Sequence, residues 1–441
     1  MWFNAGVLLQ TEWRRSMDKL KIGVLGVKRG QSMIFYSQRA QNVEVVAICD
    51  KWEDGLKRAA KDVNSSSVTY YTDFDEFLNH DMDIVVLANY GNEHAPFAIK
   101  CLERGFHVYS EVTAFQNMKE AVELIEAVEK SGKVYGFAEQ YCFMPAPMEM
   151  KRLYSQGKIG ELEYAEGEYA HDSSWAWHRL TFGDPDHWRN YAYSTFYCTH
   201  SIGPIIHATG LRPVSVTGFE SYLNERRASV GAKTASFGIS LVTMNNGALV
   251  KALNGNLRRS TLWYAMYGSA GKMECSRSIL KNGGVGRIYV ELEERGHDDD
   301  QVTRDNYEPR REPPKGDFSA AEFNDHGGAD FYCIQGFIDK VLGDDNADYI
   351  DVYEAVDMTI PGLFAYRSLL QGGVPLDIPD LRDPKQRDLY RNDTLCTDPK
   401  AAGDMLVPAY SRGEVEIPDE VYEKVRAKFE EEMQEGTFQN E

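Results

Sequence analysis

Short apolar runs separated by amphipathic stretches fill the first third of the chain. KIGVLGV (21–27), VEVVAICD (43–50), MDIVVLAN (82–89), HVYSEV (107–112) and KVYGFAEQY (133–141) read as strands buried on both faces. The first ends in a glycine turn, the second in an acid, the next two in polar residues. Between them, FAIKCLERG and MKEAVELIEAVEKSG show helical spacing closed by glycine. Such alternation predicts βαβ units and a parallel, doubly wound sheet over residues 17–140.

From about Tyr141 the pattern changes. One helical stretch, PMEMKRLYSQGKIG, leads into long alternating segments: ELEYAEGEYAHD, PVSVTGFES, ASFGISLVTM, GALVKALNGN, STLWYAMYGS and RIYVELEER. Alternation with period two predicts a large, open, mainly antiparallel sheet with one face covered. Residues 294–326 are polar and proline-bearing and read as a loop or flap. Helical spacing returns in ADFYCIQGFIDKVLG and YEAVDMTIPGLFAYRSLLQGG. The expected organisation is therefore an α/β domain followed by an α+β domain over 141–385. A tail over 386–441 carries an acidic helix, IPDEVYEKVRAKFEEEMQ, suited to surface or subunit packing.

Composition narrows this picture. A chain of 441 residues is too long for one ordinary domain, and 43% apolar residues support two cores. A net charge of −20 argues against a nucleic-acid surface or an anionic membrane. The seven scattered cysteines form no CxxC pair, which points to free thiols in a reducing cytoplasm. No apolar run approaches the ~20 residues of a spanning helix. Residues 1–16 are expected to be translated leader: Met17 opens the first strand, and Trp-Arg-Arg can be encoded as a ribosome-binding sequence.

The first chemical constellation is a nucleotide site. Gly26-Val27-Lys28-Arg29-Gly30 follows a strand and precedes a helix, where glycines let backbone approach a pyrophosphate at a helix N-terminus. Lys28 replaces the middle glycine of the usual fingerprint. Asp50 ends the next strand, placed to accept hydrogen bonds from both ribose hydroxyls and to repel a 2′-phosphate, so NAD is favoured over NADP. Ligands sit at the carboxyl ends of parallel strands, so Asn89, Asn92 and His94 should border the nicotinamide half. His94 alone also reads as a helix N-terminal packing residue.

The order GVLGVKRG, a strand-terminal Asp50, then Asn89-Tyr90-Gly91-Asn92-Glu93-His94 and CLERGFHVYSE resembles the Gfo/Idh/MocA family of nicotinamide-dependent sugar oxidoreductases, from Lys19 to about Pro379. The resemblance implies a Rossmann domain and a C-terminal open-sheet domain carrying the substrate site and often an oligomer interface. Most members carry Glu-Lys-Pro after the HV strand, with the lysine in proton transfer. This chain has Glu111-Val112-Thr113, so the proton acceptor must lie elsewhere.

A similar Glu-Val variant occurs in glycoside hydrolase family 109, a branch that uses NAD to cleave glycosides without net redox change. Shared blocks are Gly160–Asp172, Trp188-Arg189, Tyr197-Cys198-Thr199-His200 with Gly203-Pro204, HGGADF from His326, and Asp351–Ala355. The layout also resembles gut-bacterial enzymes that oxidise the C3 hydroxyl of glycosides to 3-oxo sugars. By that resemblance His200 acts at the sugar and Glu111 has a role; a tyrosine that also acts is replaced here by Phe143, so either Tyr141 substitutes for it or the role is lost. The cofactor contacts it implies are Gly26, Lys28, Arg29, Gly30, Asp50, Asn89, Asn92, His94, Glu111, Val112, Gln140, Trp188 and Arg189. The substrate contacts are Tyr141, Tyr169, His171, Trp175, Arg189, Tyr197, His200 and His326.

Both branches begin by removing hydride from C3, which requires a base near the hydroxyl. Neutral imidazole suits that role, so His200 is the expected base and Tyr197 its partner. Taken alone, a histidine beside a Gly-Pro turn reads as a packed residue. Trp175, Trp177, Trp188, Tyr191, Tyr193 and Phe196 are expected to form a cleft wall against sugar faces. His171, Asp172, His178 and His187 match no metal-ligand spacing, so no metal is expected.

Three functions follow. The first is an NAD-dependent glycoside or sugar 3-dehydrogenase, cytoplasmic and a homo-oligomer (dimer or tetramer). The second is an NAD-retaining glycosidase. The third, a sugar-sensing protein without activity, would leave Asp50, Glu111 and His200 surplus. The first is preferred because the N-terminus reads as no export signal.

Overall fold

The computed structural model describes residues 19–277, 286–293, 302–312, 316–318 and 325–435. The expected leader lies outside them, as does most of the expected 294–326 flap.

Six parallel strands form the first sheet in the order β3-β2-β1-β4-β5-β6. They are β1 (Leu20–Leu25), β2 (Val43–Cys49), β3 (Thr69–Tyr71), β4 (Ile84–Leu87), β5 (His107–Ser110) and β6 (Tyr135–Phe137). This doubly wound order places a ligand crevice at the carboxyl ends where β1 and β4 part. Helices α1 (Gln31–Arg39), α2 (Glu53–Val63), α3 (His94–Glu103) and α4 (Met118–Ser131) connect the strands. α4 is bounded as its sequence dictates: Asn117 accepts from the Glu120 N–H at 3.0 Å, and Gly132 ends it in the left-handed region at φ 62°. β3 is three residues of edge strand, too short to give a periodic signal.

Nine strands form the second sheet: β7 (Leu162–Ala170), β8 (Pro213–Glu220), β9 (Phe237–Met244), β10 (Leu249–Gly255), β11 (Thr261–Gly268), β12 (Gly271–Cys275), β13 (Ile288–Glu293), β14 (Val302–Tyr307) and β15 (Leu376–Asp377). Their order is β14-β13-β12-β11-β7-β10-β9-β8-β15. β7 and β10 pair in parallel and the remaining ladders are antiparallel, so the sheet is mixed. β14 corrects the flap reading: Val302–Tyr307 pairs along β13 and continues the sheet.

One face of this sheet is covered by α6 (Cys198–Thr209) and α8 (Val352–Leu370), with α5 (Pro145–Ser155) alongside α6. The other face leaves Phe219, Leu241, Leu249 and Tyr289 exposed. α6 is a second correction: Gly203-Pro204 is no turn but lies inside the helix. The contact of α6 with β7 depends on Gly167, whose added Cβ would fall 1.8 Å from the Ser201 carbonyl oxygen. Only a residue without a side chain permits that approach.

α7 (Ala329–Val341) returns to the first domain. Tyr36 donates to Gln335 Oε1 at 2.8 Å, and Phe337 packs on Gly136 and on Tyr109 at 5.2 Å between ring centroids. After α9 (Pro384–Tyr390), the acidic helix α10 (Asp419–Glu435) ends the described chain. Its Glu432 pairs with Arg179 at 2.7 Å, and Phe429 lies edge-on to Phe182 at 5.0 Å. Among the described residues no helix is long and apolar enough to cross a membrane.

Candidate active site

The glycine turn after β1 is positioned by backbone geometry. Gly26 sits at φ 97°, and a Cβ there would meet the Ala88 carbonyl oxygen at 2.3 Å. Asp50, just past β2, is clamped by the Val27 N–H at 2.8 Å and the Trp52 N–H at 2.9 Å. Its carboxylate thus sits beside the turn, where a ribose would lie. Buried polar atoms without protein partners, Asn89 Oδ1, Asn92 Oδ1 and Trp188 Nε1, belong to the strand-end loop of β4 and to a ring packed against Gly91. A dinucleotide fits this crevice: an acid for its ribose, a glycine turn for its phosphates and unspent polar groups for its nicotinamide half.

Across the crevice, α6 presents His200, 5% exposed. Pro204 has no N–H to give the His200 carbonyl, and the Tyr264 hydroxyl donates to that oxygen at 2.6 Å instead. Both oxygens of Glu139 lie on His200 Nδ1, at 2.8 and 2.9 Å, and Glu139 is fully buried. A carboxylate there fixes the tautomer with its proton on Nδ1 and the lone pair on Nε2. Nε2 has no protein hydrogen bond among the described residues. Three rings surround the imidazole: Tyr141 at 4.4 Å, Tyr169 at 4.5 Å and Tyr197 stacked at 5.5 Å between centroids. Arg189 donates to the Tyr197 hydroxyl at 2.8 Å while its guanidinium lies 4.6 Å above Trp188.

A second chain of charge runs from the glycine turn. Arg29 pairs with Glu111 at 2.8 Å and with Asp330 at 2.5 Å, and Asp330 lies 3.2 Å from His326 Nδ1. Burial pushes Glu111 up from its ordinary value, against the pull of Arg29. Burial acts in the same direction on Asp330, but Arg29 and then His326 outweigh it and hold its carboxyl well below the usual range. The His326 ring lies 5.5 Å from Tyr141, on which His200 also packs. His171 accepts from or donates to the Tyr169 hydroxyl at 3.2 Å, and burial lowers it toward the neutral form.

The structure thus links Glu111, Arg29, Tyr141, Tyr169, His171, Arg189, Tyr197, His200 and His326 through one continuous set of contacts, with Asp330 joining Arg29 to His326. Other expected residues have different partners. Lys28 reaches the Arg179 carbonyl at 3.0 Å, Asn92 donates to Asp398 at 2.7 Å, and Gln140 accepts from Arg29 at 3.3 Å with its amide nitrogen toward Ala138. His94 is buried on the Thr113 carbonyl at 2.9 Å, and burial lowers it to about 4. Val112, which precedes Thr113 in the chain, is buried as well. Trp175 is 56% exposed, beside Arg179. Trp177 binds Asn190 and stacks with Arg227, and Tyr193 stacks with Tyr366, so the expected wall is largely packing. His178 meets Glu432 and Asp172 meets Arg226.

Glu139, Tyr264 and Asp330 were missed in the sequence. Glu139 lay inside a segment read as strand, 61 residues from its histidine. Asp330 follows His326 by one helical turn, a spacing that could have flagged it.

The fold and the crevice define a Rossmann-type oxidoreductase that takes a dinucleotide. Residues 20–139 match the family model for the Gfo/Idh/MocA oxidoreductase family, NAD-binding Rossmann fold, and residues 261–386 match the glycosyl hydrolase 109 C-terminal domain. The chain therefore joins a Gfo/Idh/MocA NAD-binding domain to a glycosyl hydrolase 109 C-terminal domain, and its cofactor is NAD. A glycosyl hydrolase family 109 protein of Solibacter usitatus is 25% identical over 399 residues, covering 82% of this chain and 88% of its own. One from Shewanella sp. (strain ANA-3) is 30% identical over 206 residues, 43% and 44% of the two chains. In architecture the chain resembles scyllo-inositol dehydrogenase from Lactobacillus casei with bound NAD(H) and scyllo-inositol, at a TM-score of 0.64 and 15% identity over 83% of this chain and 100% of that one. Myo-inositol 2-dehydrogenase from Lactobacillus plantarum gives 0.63 and 16% over 82% and 100%.

Proposed function

We propose that this enzyme oxidises the C3 hydroxyl of a sugar or glycoside to the 3-oxo sugar. The observation that carries the reading is the buried Glu139–His200 pair, whose imidazole lies amid three tyrosine rings and whose Nε2 has no protein hydrogen bond among the described residues. When bound, NAD supplies the acceptor for the hydride leaving C3. His200 Nε2 takes the hydroxyl proton as that bond breaks, and Glu139 stabilises the imidazolium that forms. Arg189 holds the Tyr197 hydroxyl toward the substrate, and the tyrosine rings receive the apolar faces of the sugar.

A second reading, redox-neutral glycoside hydrolysis, is favoured by the family 109 domain and the relatives bearing that name. Incubation with p-nitrophenyl glycosides and with glucose separates them. NADH absorbance or a ketosugar supports the dehydrogenase; steady p-nitrophenol release without added acceptor supports the hydrolase. His200→Ala is expected to abolish turnover and keep NAD binding, and unchanged turnover would remove His200 from the base role.

Seven buried free thiols suit a reducing cytoplasm. The apolar residues on the open face of the second sheet suit burial against another subunit, so a homo-oligomer is the expected state. Light scattering on purified protein tests this.

A further inference from the structure

The matched domains end at residue 386, yet the chain beyond them returns to the cofactor crevice. Residues 393–402 are pinned to both domains. Asp393 pairs with Arg367 of α8 at 2.6 Å, and its carbonyl accepts from the Lys119 N–H of α4 at 2.8 Å. Asp398, 9% exposed, then engages both carboxylate oxygens. Oδ1 caps the short helix Pro399–Ala402, accepting from the Lys400 N–H at 2.9 Å. Oδ2 accepts from Asn92 Nδ2 at 2.7 Å, across 306 residues of chain.

A primary amide is nearly symmetric in shape, so its partners decide which end points where. A carboxylate only accepts, and Asp398 therefore draws the NH2 of Asn92 and turns Oδ1 the opposite way. Gln116 holds the rest of the residue by donating to the Asn92 carbonyl at 2.9 Å. Asn92 Oδ1 is buried and has no protein partner among the described residues. It belongs to the loop after β4, next to Gly91, against which the Trp188 ring packs. That loop borders the crevice on the side of the nicotinamide half. An acceptor fixed there suits the ribose hydroxyls and the carboxamide N–H of that half.

We propose that Asp398 is a positioning residue for the cofactor, locking Asn92 so that its Oδ1 accepts a hydrogen bond from the nicotinamide half of NAD. The inference concerns NAD binding and holds for either sugar reaction. Both oxygens of Asp398 are already engaged, so it acts through Asn92 rather than on NAD. That route makes three demands. Losing Asp398 must weaken NAD, must spare ligands that lack the nicotinamide half, and must have no effect once Asn92 is gone. Without the lock, Asn92 is free to turn its NH2 into the crevice, where a donor would meet a donor. The tail is thereby part of the cofactor site, although it lies outside residues 20–139, which match the NAD-binding model.

The test is calorimetric titration of the full-length protein with NAD and with ADP, which carries the adenosine and both phosphates but no nicotinamide half. Asp398→Ser keeps a capping oxygen and lacks the second oxygen that reaches Asn92. NAD affinity should fall about 10-fold in that variant, while ADP affinity stays within about twofold. Asp398→Asn serves if the serine variant unfolds, because its one oxygen can cap the helix or meet Asn92 but not both. In an Asn92→Ala background, Asp398→Ser should change NAD affinity by less than about twofold. The melting temperature of each unliganded variant is read on the same preparation. NAD affinity within about twofold of wild type in both variants overturns the proposal. Equal losses for NAD and ADP overturn it, as does a loss that persists without Asn92. A wild type that binds NAD no more tightly than ADP overturns it as well.

Discussion

Replacing Glu139 with glutamine removes one charge and almost no volume, so its effect on rate can be worked from the geometry. In the wild type both carboxylate oxygens lie within 2.9 Å of His200 Nδ1, and a third contact comes from the Tyr141 N–H at 3.4 Å. Glutamine can point its oxygen at only part of this set. If its nitrogen faces Nδ1, the imidazole proton moves to Nε2 and the base is blocked. If its oxygen faces Nδ1, the tautomer survives but the imidazolium loses its counter-charge. Opposite charges about 4 Å apart at an effective dielectric of about 20 attract by about 4 kcal/mol. Full development of that charge in the transition state corresponds to a roughly 10³-fold loss of kcat. The assay is single-turnover NADH formation on a saturating glycoside, with melting temperature and NAD affinity measured on the same preparation. Glu139→Asp should recover part of the rate. A Glu139→Gln enzyme that melts normally and keeps kcat within tenfold of wild type would refute the orienting role.

Three further outcomes are expected. Asp50→Ala should weaken NAD binding by about 10- to 100-fold, the worth of charged hydrogen bonds to ribose, and narrow the preference over NADP; calorimetric titration shows both. Gly167→Ala must push α6 off β7, costing about 1–3 kcal/mol in stability and displacing His200, so melting temperature and turnover fall together. His207 is buried, and although burial lowers it, Glu354 at 2.7 Å and Asp348 raise it to about 9. A raised histidine stabilises fully below its unfolded value of ~6.5 and loses that contribution as pH climbs toward 9. The melting temperature should therefore decline across that window, and His207→Gln should flatten the decline.

The parallel domain was legible because β1, β2, β4 and β5 are runs of apolar residues with glycine or polar ends, a signal generated within each strand. The second sheet was legible through alternation, which reports that one face is covered but not how strands pair; the parallel β7–β10 ladder is a fact of topology. The helix around His200 was hidden because Gly203-Pro204 reads as a break. Tyr264, 64 residues away, supplies the donor that proline lacks and so lets the helix continue. Glu139 was invisible for a related reason. Its partner is fixed by the crossing of the 139–143 turn with α6, and nothing local marks an acid for burial.

The return of α7 to the first domain has a consequence for biosynthesis. Phe337 and Gln335 seal surfaces made by Tyr109, Gly136 and Tyr36, yet they are synthesised roughly 200 residues after β6. At about 5–20 residues per second the emerging cofactor domain waits some 10–40 s with that flank open. Until then it is a nascent chain with an apolar seam, a target for holdase chaperones, and a ribosome stalled before codon 329 would release a fragment unable to complete its own wall.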